Sequence, residues 1–230
     1  MNNSFLPALL TTTTIAFAAS VIPAQAFELG FTNKTNNGSI NVGSQFTTTV
    51  DDIGSGKVKF TFSNPGPTDA TITQINFGKT NFLNLLSFSS LSSTNPHDSD
   101  LGVNFSKATN PTNLPAIFGW NPAITFDAKN PSGYQKYGVD KGESLSIIFN
   151  LASGKTFSDI ETGFKTGTLA IATHVQSIGG SSGFSDKFES TYNTKSVPEP
   201  STILGLAAFG MSGLLIRKKR KNANAEKVTA

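Results

Sequence analysis

Cysteine is absent from the 230 residues, which excludes disulfide scaffolds, thiolate-ligated zinc and iron–sulfur sites, and cysteine nucleophiles. Stability must therefore come from packing. Histidine occurs only as His97 and His174, too few for a three-histidine metal site and a thin supply for acid–base work near neutral pH. Charge is also scarce: Asp, Glu, Lys and Arg make up 14% of the chain, against about 25% in an average soluble domain. With 21 Gly and 11 Pro alongside, this composition argues against a helical bundle, because both residues disfavour helix interiors. The chain is instead rich in phenylalanine, with 19 copies.

The formal charge of +3 is unevenly distributed. Residues 27–196 hold twelve lysines against thirteen acids, so the body is close to neutral, while Arg217, Lys218, Lys219, Arg220, Lys221 and Lys227 face only Glu226. A nucleic-acid binder needs its cations on a folded surface. Here the basic run lies directly behind an apolar segment, and no nucleic-acid partner is expected.

Both ends have the character of addresses. Residues 1–26 carry no charged side chain, run through an apolar and Thr-rich stretch, and close on Ala24-Gln25-Ala26 before Phe27. Small residues at −3 and −1 fit the shallow pockets of signal peptidase, and Pro23 breaks the preceding helix. A signal peptide over residues 1–26, cut between Ala26 and Phe27, is expected. At the other end Val197-Pro198-Glu199-Pro200 precedes the apolar segment 202–216 and the cluster Arg217, Lys218, Lys219, Arg220 and Lys221. As a helix, that segment would be about 22 Å long, short of the roughly 30 Å hydrocarbon core unless snorkelling cations extend it. The expectation is one short C-terminal transmembrane helix, with 217–221 as a stop-transfer cluster and 222–230 as a cytoplasmic tail, since cations stay on that side.

Pro-Glu-Pro, a Gly-containing apolar helix and a terminal basic cluster, in that order, resemble the PEP-CTERM sorting signal of exported bacterial proteins, the match covering residues 197–221. The resemblance implies export to the cell envelope or surface and handling by an exosortase, a membrane-embedded enzyme that cuts near Pro-Glu-Pro. It also implies extracellular polysaccharide as a partner, since passengers of this class are commonly associated with it. The tail after the basic cluster is longer than such signals usually carry.

The body, residues 27–196, reads as all-β. Val58, Phe60 and Phe62 alternate with Lys57, Lys59, Thr61 and Ser63, and Leu145, Ile147, Phe149 and Leu151 alternate with polar neighbours. A period of two places the apolar set on one face of a strand. Leu101, Val103 and Phe105 repeat the pattern, as do Ile124 and Phe126, and in Thr168–Ile178 both sides carry apolar residues. Turn sequences such as Asn64-Pro65-Gly66-Pro67 separate these runs, and the expected fold is an antiparallel β-sandwich or jelly roll. The one short helix expected lies within Thr80–Leu91.

No catalytic residue, metal ligand or cofactor is assigned. His97-Asp98-Ser99-Asp100 is the densest polar cluster, but it lacks the Gly and distal Glu of a calcium loop and reads as a solvated turn. Asp51-Asp52, and Asp159 with Glu161, read as turn or edge residues before they read as a hydrolytic pair. His174 reads as structural, and no Gly-x-Ser-x-Gly elbow is present. Trp120, Tyr134 and Tyr137, flanking a loop over 121–138, are candidates for stacking on sugar rings. The leading expectation is an exported, non-enzymatic surface or extracellular-matrix-associated protein. A carbohydrate-binding β-sandwich module and an envelope hydrolase are the alternatives.

Overall fold

A computed structural model describes residues 25–93, 102–111, 113–129, 137–180 and 183–193. Its strands are β1 (Ala26–Asn33), β2 (Thr47–Gly54), β3 (Lys57–Ser63), β4 (Thr71–Gly78), β5 (Leu86–Ser93), β6 (Phe105–Lys107), β7 (Pro122–Ala128), β8 (Ser144–Leu151), β9 (Ala170–Ile178) and β10 (Phe184–Asn193). Two helices accompany them, α1 (Phe82–Leu85) and α2 (Phe157–Thr166). The strands join in the order β5-β8-β3-β2-β1-β10-β9-β4-β7-β6. Every neighbouring pair is antiparallel.

The expected sandwich places two sheets face to face, whereas these strands form one continuous sheet. Pairing of the first strand with the last is what makes the difference, because β1 lies against β10 from Glu28↔Asn193 to Asn33↔Phe188. Without that seam the order would fall into two five-stranded sheets. The single sheet rolls until its ends approach each other. The Phe60 ring of β3 lies 5.2 Å from Phe77 of β4, five places away in the sheet order. Phe88 on edge strand β5 lies 5.1 Å from Phe126 on β7, next to the opposite edge. The sheet is therefore nearly closed, and its inner face is a mesh of phenylalanines.

The alternation in β3 and β8 puts Val58, Phe60, Phe62, Leu145, Ile147 and Phe149 in that core, none more than 2% exposed. Phe105, Ile171 and Val175 are buried as well. In β9 both faces are covered, since Ala170 and Ala172 on the outer side are as buried as Ile171 and Val175 on the inner. The triplet Leu101–Val103–Phe105 yields less strand than its pattern suggests. Leu101 lies outside the described residues, and β6 begins only at Phe105.

Helix content is placed differently from the expectation. Within Thr80–Leu91 only Phe82–Leu85 is helical, and the chain turns into β5 at Leu86, where Ser and Phe alternate. The longer helix, α2, lies at Phe157–Thr166. Thr156 and Asp159 close a capping box there: the Asp159 N–H donates to Thr156 Oγ1 and the Thr156 N–H donates to Asp159 Oδ2. Phe157, Ile160 and Phe164 form its buried stripe, and Phe157 and Phe164 pack on Phe27 at 5.5 and 5.8 Å. Gly163 is required inside this helix, because a Cβ there would come within 2.6 Å of the Leu169 side chain.

Among the described residues no helix is long and apolar enough to cross a membrane. The segment 202–216 expected to do so lies outside them, as do most of residues 1–26.

Candidate functional site

The outer face of the second half of the sheet carries an unusual density of polar groups. Strand register sets them in two rows. One runs Lys187 (β10), His174 (β9), Gln74 (β4), Asp127 (β7) and Ser106 (β6), and the next runs Thr32, Glu189, Ala172, Asn76 and Thr125. Side chains within the rows are hydrogen-bonded in series. Thr125 Oγ1 donates to Asn76 Oδ1 at 2.8 Å, Asn76 Nδ2 to Gln74 Oε1 at 3.1 Å, and Gln74 Nε2 to Asp127 Oδ1 at 2.8 Å. Leu114, Phe118 and Trp120, from the segment between β6 and β7, roof the second row and make a small apolar cluster with Ala172.

Trp120 is the anchor of this roof. Its Nε1–H donates to Glu189 Oε1 at 2.7 Å, and the Lys34 and Lys79 ammonium groups lie 3.2 and 3.4 Å from the same carboxylate. Burial alone pushes the Glu189 carboxyl up, but the Trp120 hydrogen bond and the two lysines outweigh it and hold it below its ordinary value. The six-membered ring of Trp120 rests on the bare Cα of Gly78, where a Cβ would come within 2.8 Å of Cζ3. Two adjoining open clefts of about 530 and 190 Å³ flank the rest of the ring.

His174 is half-buried in the first row. Loss of hydration, and then the neighbouring Lys187 ammonium, push its pKa down to about 4 from 6.5, with Asp186 acting more weakly in the opposite direction. Lys187 is itself pushed down by burial, against the pull of Asp127. The imidazole is therefore neutral near pH 7, which fits a structural role. In the unfolded chain it takes up a proton below about pH 6.5, while the folded protein resists protonation until about pH 4. The body should accordingly lose about 2 to 3 kcal/mol as the pH falls through that window. Denaturation curves for wild type and His174→Gln, recorded between pH 7 and 4, should diverge by that amount, and parallel curves would remove His174 as the cause.

The remaining sequence candidates are dispersed. Asp51 pairs with Lys59 at 3.2 Å, and Asp52 Oδ1 accepts the Gly54 N–H of the β2–β3 turn. Asp52 fits the turn reading, but Asp51 does not, since it lies inside β2 and is paired with Ala26 of β1 on one side and Lys59 of β3 on the other. Asp159 and Glu161 do not fit it either, because both lie in α2, the first as the third-position partner of the Thr156 cap and the second accepting the Tyr192 hydroxyl at 2.6 Å and pairing with Lys165 at 2.9 Å. Position 121–138 is not one loop, since β7 occupies Pro122–Ala128. Tyr134 and His97, Asp98 and Asp100 lie outside the described residues. Sequence reasoning missed Glu189, Lys34 and Lys79, which come together only through register between strands far apart in the chain.

Of the processing residues, Ala26 and Phe27 are described. Ala26 pairs with Asp51 at the start of β1, and Phe27 is buried among Phe157, Phe164 and Tyr192. Ala24, Val197, Pro198, Glu199, Pro200 and Arg217, Lys218, Lys219, Arg220 and Lys221 lie outside the described residues. No curated protein and no solved structure matches the chain. Residues 196–221, however, match the PEP-CTERM protein-sorting motif. The chain thus carries the sorting signal of exosortase-processed proteins, a signal of export and envelope association.

Proposed function

We propose that this chain is an exported, non-enzymatic surface or extracellular-matrix protein. In this reading a signal peptide is cut between Ala26 and Phe27, the helix 202–216 holds the body at the membrane, and an exosortase-like enzyme processes the tail near Pro198-Glu199-Pro200. The sorting motif at residues 196–221 carries the proposal. The topology of the body is compatible with it. Glu28 at the start of β1 lies opposite Asn193 at the end of β10, and Asn193 Nδ2 donates to Glu28 Oε1 at 2.9 Å. Both ends of the body therefore leave one pole of the sheet, so the segment that runs on to the tail starts beside the first residues of the mature chain. From Asn193, an extended chain reaches Pro198 within about 17 Å, which keeps the processing point close to that pole.

The test is intact-mass measurement of envelope protein from cells that contain the exosortase. Wild type should lack the apolar helix and basic cluster, and replacing Pro198, Glu199 and Pro200 together by Ala should leave them attached, because a rigid extended segment is what a protease cleft grips. A wild-type protein retaining residues 216–221 would make the tail a plain anchor. The fixed Trp120 ring beside two clefts favours a second reading, a carbohydrate-binding module.

A further inference from the structure

We propose that Trp120 is the stacking platform of a saccharide subsite, which takes a pyranose ring of a neutral oligosaccharide on the outer face of β4 and β9. The inference builds on the carbohydrate-binding reading and gives it a place and a ligand class. It is independent of how the tail is processed.

The argument begins with what holds the ring. Gly78 lies beneath it, Phe118 meets it edge-on with centroids 6.2 Å apart and planes at 84°, and Glu189 fixes its N–H at 2.7 Å. Three contacts in different directions immobilise the indole before any ligand arrives, which removes an ordering cost from binding. Packing accounts for the covered part of the ring. The uncovered part lines a cleft of about 530 Å³, within the range of small-molecule sites.

The composition of that cleft selects the ligand. A pyranose presents weakly positive C–H groups from its faces and hydroxyls around its rim. The π-face of an indole is negative and suits the former. The hydroxyl of Thr80 and the amide of Asn121, which border the same cleft, can both donate to and accept from the latter, and the Thr168 hydroxyl, which donates to the Gly163 carbonyl at 3.4 Å, has a lone pair left to accept. Lys79, the cation of the cleft, is already paired with Glu189. Neutral donors and acceptors around an aromatic face are the chemistry of an uncharged sugar. A phosphate or a carboxylate would need the lysine that Glu189 holds.

Trp120 is the single tryptophan of the chain, so its emission reports this site alone. The full-length chain in mild detergent would be titrated with cellohexaose, maltohexaose and chitohexaose. At least one should change the emission saturably at millimolar concentration or below. Asn121→Arg and Thr168→Arg fill the cleft and leave the groups that hold Trp120, namely Gly78, Phe118 and Glu189, in place. Each should weaken binding by about tenfold or more, with an unchanged circular dichroism spectrum. Trp120→Phe, followed by calorimetry, should weaken it likewise. Emission unmoved by all three sugars at about 10 mM, a free energy of binding weaker than about 3 kcal/mol, would overturn the proposal. So would binding that survives both arginine substitutions. A tail left uncut changes the intact mass and not this titration, so the two readings fail separately.

Discussion

Phe149→Ala should destabilise the body by about 4 kcal/mol, the usual range for removing a buried aromatic ring being about 3 to 5. Phe149 is wholly buried in β8 and lies between 5.0 and 6.3 Å, centroid to centroid, from Phe60, Phe77, Phe82, Phe88 and Phe126. Those five rings come from β3, β4, α1, β5 and β7. Its removal would leave a cavity at the point where the two halves of the rolled sheet meet, and strands anchored on both sides limit how far that cavity can collapse. Most of the contacts are edge-to-face, a geometry that adds to simple burial. Ser146→Ala, in the same strand, removes only a 3.0 Å hydroxyl contact with Thr61 and should cost less than about 1.5 kcal/mol. Urea denaturation of both variants, followed by Trp120 emission, provides the comparison. Equal losses would mean that the aromatic mesh is not where stability resides.

Asp186→Ala should come close to the same loss, about 3 to 4 kcal/mol, for a different reason. The Asp186 side chain is wholly buried. Oδ2 accepts from Asn33 Nδ2 at 2.8 Å, and Oδ1 accepts from Thr35 Oγ1 at 2.8 Å and from the Asn37 N–H at 2.7 Å. One carboxylate thus fastens the segment after β1 onto β10 across roughly 150 residues of sequence. Alanine would leave these donors without an acceptor, and buried unmet donors are costly. Asparagine would not rescue the site, since its NH₂ must face one of the donors. Thr35→Val should give a smaller loss, because the carboxylate keeps its other two bonds, although the Lys187 N–H also loses the Thr35 Oγ1 acceptor it reaches at 2.8 Å. A fully tolerated Asp186→Ala would show that this segment contributes little to the fold.

Short-range regularities made much of this protein legible. The period of two in Val58–Phe60–Phe62 and Leu145–Ile147–Phe149 marks buried strand faces without knowledge of neighbours, because alternation is a local consequence of the pleat. Helix α2 was hidden for a local reason too: it has Gly163 at its centre and Ser and Thr among its ten residues, so propensity disguises it. Its signals were the Thr156-x-x-Asp159 box and the spacing of Phe157, Ile160 and Phe164. At the candidate site, Trp120 and His174 stood out as rare residue types, whereas Glu189, Lys34 and Lys79 looked like ordinary surface charge.

The sequence by itself determined the address and the class of this chain. The Pro-Glu-Pro, apolar and basic segments follow one another in linear order, so the motif is legible without any knowledge of the fold. The all-β character likewise follows from alternation and turn residues. What only the tertiary structure decided is everything that depends on contacts between residues distant in the chain. Pairing of β1 with β10 turned a potential pair of sheets into one rolled sheet, and the register of β9, β4 and β7 with β10 set Glu189 under Trp120. A one-residue slip in any of these pairings would turn the polar row inward and the phenylalanines outward. The register is therefore fixed by the cost of burying that row and exposing the aromatic core, a quantity that belongs to the whole sheet and to no single segment of sequence.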